Sequence, residues 1–241
     1  MITLLTFPNS FTCPSHSPYC VKAMCLLEMA GEAWAPEFYD DPRKMPYGKL
    51  PVARIDGRMI PDSANIQRVL EARGADFFPG LSPLQKAQAH AVMRMAEESL
   101  SFGLIYERWM QDANWAVVRD VFFESVPKPI RGFVTGRIRK SLRKGLIAHG
   151  FGRLSDEDRQ KLLDADLSAI EVMLRDGPFL FGALPSAADA SVLPLVDMMA
   201  NLPTDTWLRR RIRSSTSLMC YISMGRAAIY PGACQAIKLA A

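Results

Sequence analysis

The chain has 241 residues, 49% of them hydrophobic and 22% charged, the make-up of a soluble globular protein with room for one large core or two smaller ones. Its net charge of +4 suits acidic small molecules or an anionic surface and is too small to argue for nucleic acid. Five cysteines, Cys13, Cys20, Cys25, Cys220 and Cys234, are odd in number and follow no framework, so they read as reduced thiols in a cytoplasmic setting.

In chain order, residues 2–7 (ITLLTF) are a short apolar run of β-formers stopped by Pro8, Asn9 and Ser10, and predict a buried strand. A loop follows, then a helix over about 18–30. Ser17 suits its N-cap, Pro18 its first helical position and Gly31 the position past its end. Val21, Met24, Cys25 and Leu27 or Glu28 fall at helical spacing, which predicts one apolar face. Residues 33–39 (AWAPEFY) read as a second strand, placed at a sheet edge by Pro36. Residues 40–49 are turn-rich and predict no helix. Asp56-Gly57 between VARI and RMI is a strong hairpin signal. Asp62 or Ser63 then caps a helix with Ile66, Val69 and Leu70 on one face, ending at Gly74.

Residues 74–83 form a linker, and beyond it the pattern is helical. Residues 84–111 predict one long helix, with Val92, Ala96, Leu100 and Gly103 along one stripe. Further helices are expected near 115–124, 131–148 and 156–175. Another opens at the capping box Ser186-x-x-Asp189 and is expected to kink at Pro194. The organisation is an α/β domain over 1–78 and an all-α domain over 84–241. No stretch reaches the roughly 18 uncharged apolar residues of a membrane helix, and the N-terminus has neither a basic leader nor a small-residue cleavage pattern.

The stretch SPYC, residues 17–20, sits where thiol–disulfide enzymes carry Cys-x-x-Cys. Ser17 replaces the first cysteine and Cys20 keeps the second. SPYC, GKLPVARIDGRMIPDS (48–63) and FLFGALPSAADAS (179–191) stand in the order and at the separations of the glutathione transferase superfamily. The chain resembles that superfamily over roughly residues 2–230. IYERW (105–109) and HGFGRLSDED (149–158) resemble its bacterial branch near the failed-axon-connection and metaxin-like proteins. The resemblance implies an α/β thioredoxin-like N-terminal domain, an all-α C-terminal domain, glutathione as co-substrate and a homodimer.

On that resemblance the sulfur nucleophile is glutathione's, and Ser17 donates to its thiolate at a helix N-terminus, where unpaired N–H groups favour an anion. Ser17 as a plain helix cap is the competing reading. Ser10, Thr12 and Cys13 stay open as alternatives, because the loop 8–16 has no assigned course. Cys20 is either a small buried hydrophobe or a thiol that exchanges with glutathione disulfides. The resemblance also implies a cis bond before Pro51, with Leu50 presenting its backbone to the cysteinyl part of glutathione, and the γ-glutamyl group at Asp62 and Ser63. Lys49 either reaches a glutathione carboxylate or is solvated. Tyr19, Tyr106, Arg108 and Trp109 are the candidates for an electrophile pocket, against the reading that they are core.

Residues 127–155 carry Lys128, Arg131, Arg137, Arg139, Lys140, Arg143, Lys144 and Arg153 with no acid. They read as a solvated helix face, with an anionic substrate or a membrane surface as the alternative. Cys13, His16 and Cys20 lack a fourth ligand and tight spacing, so no metal is expected. No nucleic-acid module and no nucleotide or hydrolase fingerprint is present. The expected activity is conjugation of glutathione to an apolar electrophile. The alternatives are a glutathione-dependent thiol reductase using Cys20, or a non-catalytic adaptor of the same fold.

Overall fold

The computed structural model describes residues 1–232; Cys234 and the end of the expected second domain lie outside the described residues. Four strands come first: β1 (Ile2–Thr6), β2 (Trp34–Phe38), β3 (Val52–Ile55) and β4 (Arg58–Pro61). Helix α1 (Pro18–Met29) joins β1 to β2, and α2 (Ser63–Ala72) follows β4. The sheet order is β2-β1-β3-β4, with β1 and β2 parallel and the other two pairs antiparallel. A parallel pair requires a crossover, which α1 supplies. Asp56 and Gly57 both take positive φ, 49° and 76°, which a two-residue turn matched to strand twist demands. Pro36 lies opposite Leu4 on edge strand β2, where its missing N–H interrupts no second ladder.

Helices make up the rest: α3 (Pro83–Met95), α4 (Ser101–Trp109), α5 (Asp112–Phe122), α6 (Lys128–His149), α7 (Asp156–Met173), α8 (Ala187–Ala200), α9 (Trp207–Arg213) and α10 (Thr216–Ile229). The architecture is a thioredoxin-like α/β part followed by an all-α part. Helix α8 is buried along its whole length and packs on α1, α3, α9 and α10. One continuous apolar core runs from Leu4 and Ala53 through Met24 and Leu27 to Val192 and Val196. The Asp189 carboxylate accepts from Ser186 N–H and Oγ at 2.8 and 2.9 Å, from Leu180 N–H at 3.0 Å and from the Tyr221 hydroxyl at 3.1 Å. Four donors answer the cost of burying that carboxyl.

Three expectations change. Helix α1 has no single apolar face: every residue from Cys20 to Leu27 is buried, because the helix lies between the sheet and α8. Lys22 is buried with the rest and pairs with Glu97 at 2.6 Å. The long helix over 84–111 is interrupted by a π turn at Ala96–Leu100. Helices α9 and α10 have no counterpart in the sequence reading.

Among the described residues, no helix is long and apolar enough to cross a membrane. Helix α6 is largely exposed, but not all its cations are merely solvated. Arg139 donates to the carbonyls of Trp109 and Met110 at 2.7 and 3.1 Å, capping the C-terminus of α4.

Candidate functional site

Two helix N-termini and one extended segment lie at one end of the central strands β1 and β3. Helix α1 opens at Pro18, with Ser17 in the N-cap position and extended backbone. The Ser17 side chain is half-buried and makes no capping bond, so its hydroxyl is not used in holding the helix end. One turn on, Cys20 is fully buried against Leu5, Leu50 and Val52. Burial raises the Cys20 thiol pKa, and hydrogen bonds from Thr6, the Phe7 backbone, Ser17 and Ser15 only partly oppose the rise.

The Leu50–Pro51 peptide is cis. Leu50 packs beside Cys20, and the Pro51 carbonyl accepts from Asp62 N–H at 3.1 Å, which ties this segment to the start of α2. Asp62 takes φ 76° and its Oδ1 accepts from Ala64 N–H at 2.8 Å. With ψ at 136° this cap lies outside the left-handed helical well, so its backbone is strained. Ser63, the first residue of α2, is buried, and Lys49 is exposed. Cys20 thus packs on Leu50 and Pro51 is bonded to Asp62, with Ser17, Ser63 and Lys49 adjoining them along the chain.

The loop before α1 now has a course. Phe11 and Thr12 take φ 47° and 66°, and Ser10 and Cys13 exchange both backbone hydrogen bonds, at 3.1 and 2.8 Å. A β-branched threonine in that region is strained. The far helices hold it there. Arg226 on α10 donates to Thr12 Oγ1 at 3.2 Å and to both oxygens of Asp197 on α8, at 2.9 and 2.6 Å. The Cys13 thiol points at Asp197 Oδ2, 3.7 Å away, and burial together with that carboxylate pushes its pKa up. His16 hydrogen-bonds Ser10 Oγ at 2.9 Å and stacks on Phe122 of α5 with ring centroids 4.2 Å apart. Burial first, then the Arg108 charge, lowers its pKa to about 4. Cys13 and Cys20 are therefore enclosed, whereas Ser10, Thr12 and Ser17 keep solvent exposure.

The four candidates for an electrophile pocket do not share one. The Tyr19 hydroxyl donates to Glu97 O at 2.9 Å and Ser101 Oγ at 3.2 Å. Arg108 is buried, donates to His16 O at 2.8 Å and lies 5.5 Å from the centre of the Phe122 ring. Trp109 joins the same aromatic group, 6.3 Å from Phe122 and 5.1 Å from Trp115. Tyr106 points elsewhere, toward Phe151 and Arg159. Residues 106 and 108 are about 200° apart around a helix, so they cannot face one cleft. His16, Phe122, Asp197 and Arg226 escaped sequence reasoning. They meet across separations of up to 214 residues, where no spacing rule applies.

The comparisons with known proteins agree with this layout. The glutathione S-transferase N-terminal domain model matches residues 18–114, and the corresponding C-terminal domain model matches residues 153–214. The chain is 31% identical over 217 residues to an isoprene-epoxide–glutathione S-transferase of Rhodococcus sp. (strain AD45), covering 86% of this chain and 90% of that protein. It is 27% identical over 215 residues to Failed axon connections of Drosophila melanogaster, covering 85% of this chain and 51% of the other. The crystal structure of glutathione transferase GSTFuA3 from Phanerochaete chrysosporium superposes with a TM-score of 0.64 at 17% identity, over 94% of this chain and 96% of that one, a likeness of fold. With both domain models matched and a relative above 30% identity along nearly its whole length, the chain belongs to the glutathione S-transferase superfamily.

Proposed function

We propose that this protein is a glutathione transferase in which Ser17 holds the glutathione thiolate and an apolar electrophile is attacked in front of the aromatic group formed by His16, Phe122 and Trp109. The observation that carries the reading is the contrast between Ser17 and Cys20. Ser17 is half-exposed at a helix N-terminus with its hydroxyl free of capping, and Cys20 is enclosed with a raised pKa. A hydroxyl so placed donates to an anion, and the helix end adds its own partial positive charge. A buried neutral thiol is a poor nucleophile, which disfavours the reductase alternative.

Glutathione would lie along Leu50 and Pro51, its cysteinyl backbone on Leu50 and its γ-glutamyl group at the α2 N-terminus with Ser63 and Asp62. Lys49 is within chain reach of its glycyl carboxylate. The electrophile class favoured by the Rhodococcus relative is an epoxide. The thiolate sulfur attacks a ring carbon, a C–S bond forms, the C–O bond breaks, and the oxygen leaves as an alkoxide that takes a proton from water. The protein is proposed to work as a homodimer in the cytoplasm.

The second reading is a non-catalytic member of the fold, since Failed axon connections, also similar to this chain, carries no enzymatic activity in its name. One experiment decides: calorimetric titration with glutathione, followed by incubation with glutathione and a small alkenyl epoxide and mass analysis of the adduct. Binding below about 1 mM, or −4.1 kcal/mol, with adduct formed faster than in buffer supports the transferase. Binding without adduct overturns the epoxide assignment, and no binding at millimolar glutathione leaves the non-catalytic reading.

A further inference from the structure

A cavity lies within the all-α part, and none of the residues assigned to glutathione lines it. Its volume is about 270 Å³, and it opens between α4, α7 and the turn leading into α9. Tyr106, Phe151, Leu163 and Trp207 supply its apolar wall. Space of this order accommodates a molecule of about eight to ten heavy atoms.

Glu107 lines the cavity, and no salt bridge holds it among the described residues. Of the other ionic groups in the lining, Asp156 is paired with Arg159, and Asp205 is paired with Arg210 at 2.9 Å. Arg159 is engaged elsewhere as well, donating to Leu154 O and to the Tyr106 hydroxyl at 3.0 Å, with its guanidinium over the Tyr106 ring. No cation among the described residues pairs with Glu107, and its Oε2 is buried with no hydrogen-bond partner among them. A buried carboxyl oxygen without a donor is costly, so one is rarely retained unless something else satisfies it. The terminal torsion of a glutamate is broad, so Oε2 can swing toward the cavity at little cost.

The geometry points to a binding site for a small primary ammonium carrying an apolar or aromatic group, its charge on Glu107 and its body against Tyr106, Phe151 and Trp207. A carboxylate ligand is disfavoured, because both terminal nitrogens of the cation in the lining already have acceptors. An ammonium over aromatic rings gains a further attraction that a neutral ligand lacks. The site is independent of the transferase reading and uses none of the residues assigned to glutathione.

The titration of Glu107 supplies the readout. Burial, opposed by Thr206 and Arg159 and assisted by Asp156, holds its pKa at about 7. At neutral pH it is therefore about half protonated. An ammonium would drive it to the charged form and release about half a proton. Surface carboxylates are already ionised at that pH and release none.

The test is calorimetric titration of the full chain with benzylamine at pH 7, in two buffers of different ionisation enthalpy, with benzoate as control. The expected result is benzylamine binding below about 10 mM with release of about half a proton, benzoate binding at least tenfold weaker, and both the binding and the proton release lost in Glu107→Gln. Benzylamine binding without proton release, equal binding of benzoate, unaltered binding by Glu107→Gln, or no benzylamine binding at that concentration would each overturn the assignment. The proton count and the benzoate control are made on the wild-type protein, so neither depends on the variant folding.

Discussion

The Tyr19 hydroxyl, in the first turn of α1, donates to the main-chain carbonyl of Glu97 across 2.9 Å. Glu97 lies in the π turn between α3 and α4, where the helical ladder is offset and a carbonyl is free to accept from outside. Three residues further along α1, Lys22 pairs with the Glu97 side chain at 2.6 Å. One irregular turn thus clamps the helix that starts at the site. Tyr19→Phe should lower stability by about 1 kcal/mol, since Ser101 Oγ still donates to the same carbonyl at 2.6 Å. Its effect on conjugation should be under about threefold, or about 0.7 kcal/mol. Chemical denaturation and steady-state assays check both; a large loss of rate at unchanged stability would mean that the hydroxyl serves the substrate instead.

Ser17→Ala should show the opposite pattern. One hydrogen bond to a charged sulfur is worth about 1.5–3 kcal/mol, so conjugation near pH 6.5 should fall about tenfold or more. The bound thiol should titrate about one to two units higher, and the rate should partly recover at high pH. Stability should fall by no more than a weak hydrogen bond to the Cys20 thiol, because the side chain makes no capping bond. Full activity of Ser17→Ala at low pH would send the search to Ser10 and Thr12.

His16 gives a pH dependence. Its folded pKa, about 4, lies below the unfolded value near 6.5. Between those values the unfolded chain binds the proton and the folded one does not, so stability is full above about pH 6.5 and falls as the pH drops through about 4. The loss should be on the order of 2–3 kcal/mol, and His16→Gln should remove it. Thermal melts of wild type and variant across that range would show wild type losing stability relative to the variant as the pH falls. Parallel curves would mean that His16 is not the titrating group.

Asp197 is fully buried and receives Arg226, the Tyr230 hydroxyl at 2.9 Å and the Asn201 side-chain N–H at 2.9 Å. Asp197→Asn leaves Arg226 without its counter-charge and should cost about 3–5 kcal/mol. It should also free the turn at residues 10–13, since Arg226 holds Thr12. Hydrogen exchange at Cys13 N–H, now bonded to Ser10 O at 2.8 Å, should speed up more than that at Leu4 in the sheet. Equal acceleration at both would mean global destabilisation with no local role for the pair.

What the sequence determined by itself is the set of features that depend on a few neighbouring residues. Asp56-Gly57 dictates its turn because only certain side chains tolerate positive φ. Pro18 and Ser186 mark helix starts through bonds that close within one turn, and Pro36 forces an edge. Motif order was legible for the same reason, and with it the fold and the neighbourhood of Ser17, Pro51 and Asp62. Which way residues face was decided only by tertiary packing. Cys20 is enclosed because α1 is wedged between the sheet and α8, and Tyr106 and Arg108 part company because helices on two sides of α4 claim them separately. The loop at residues 8–16 takes its strained course because Asp197 and Arg226, 184 and 214 residues from their loop partners, hold it. Such contacts depend on burial and charge in three dimensions, and local periodicity carries no record of them.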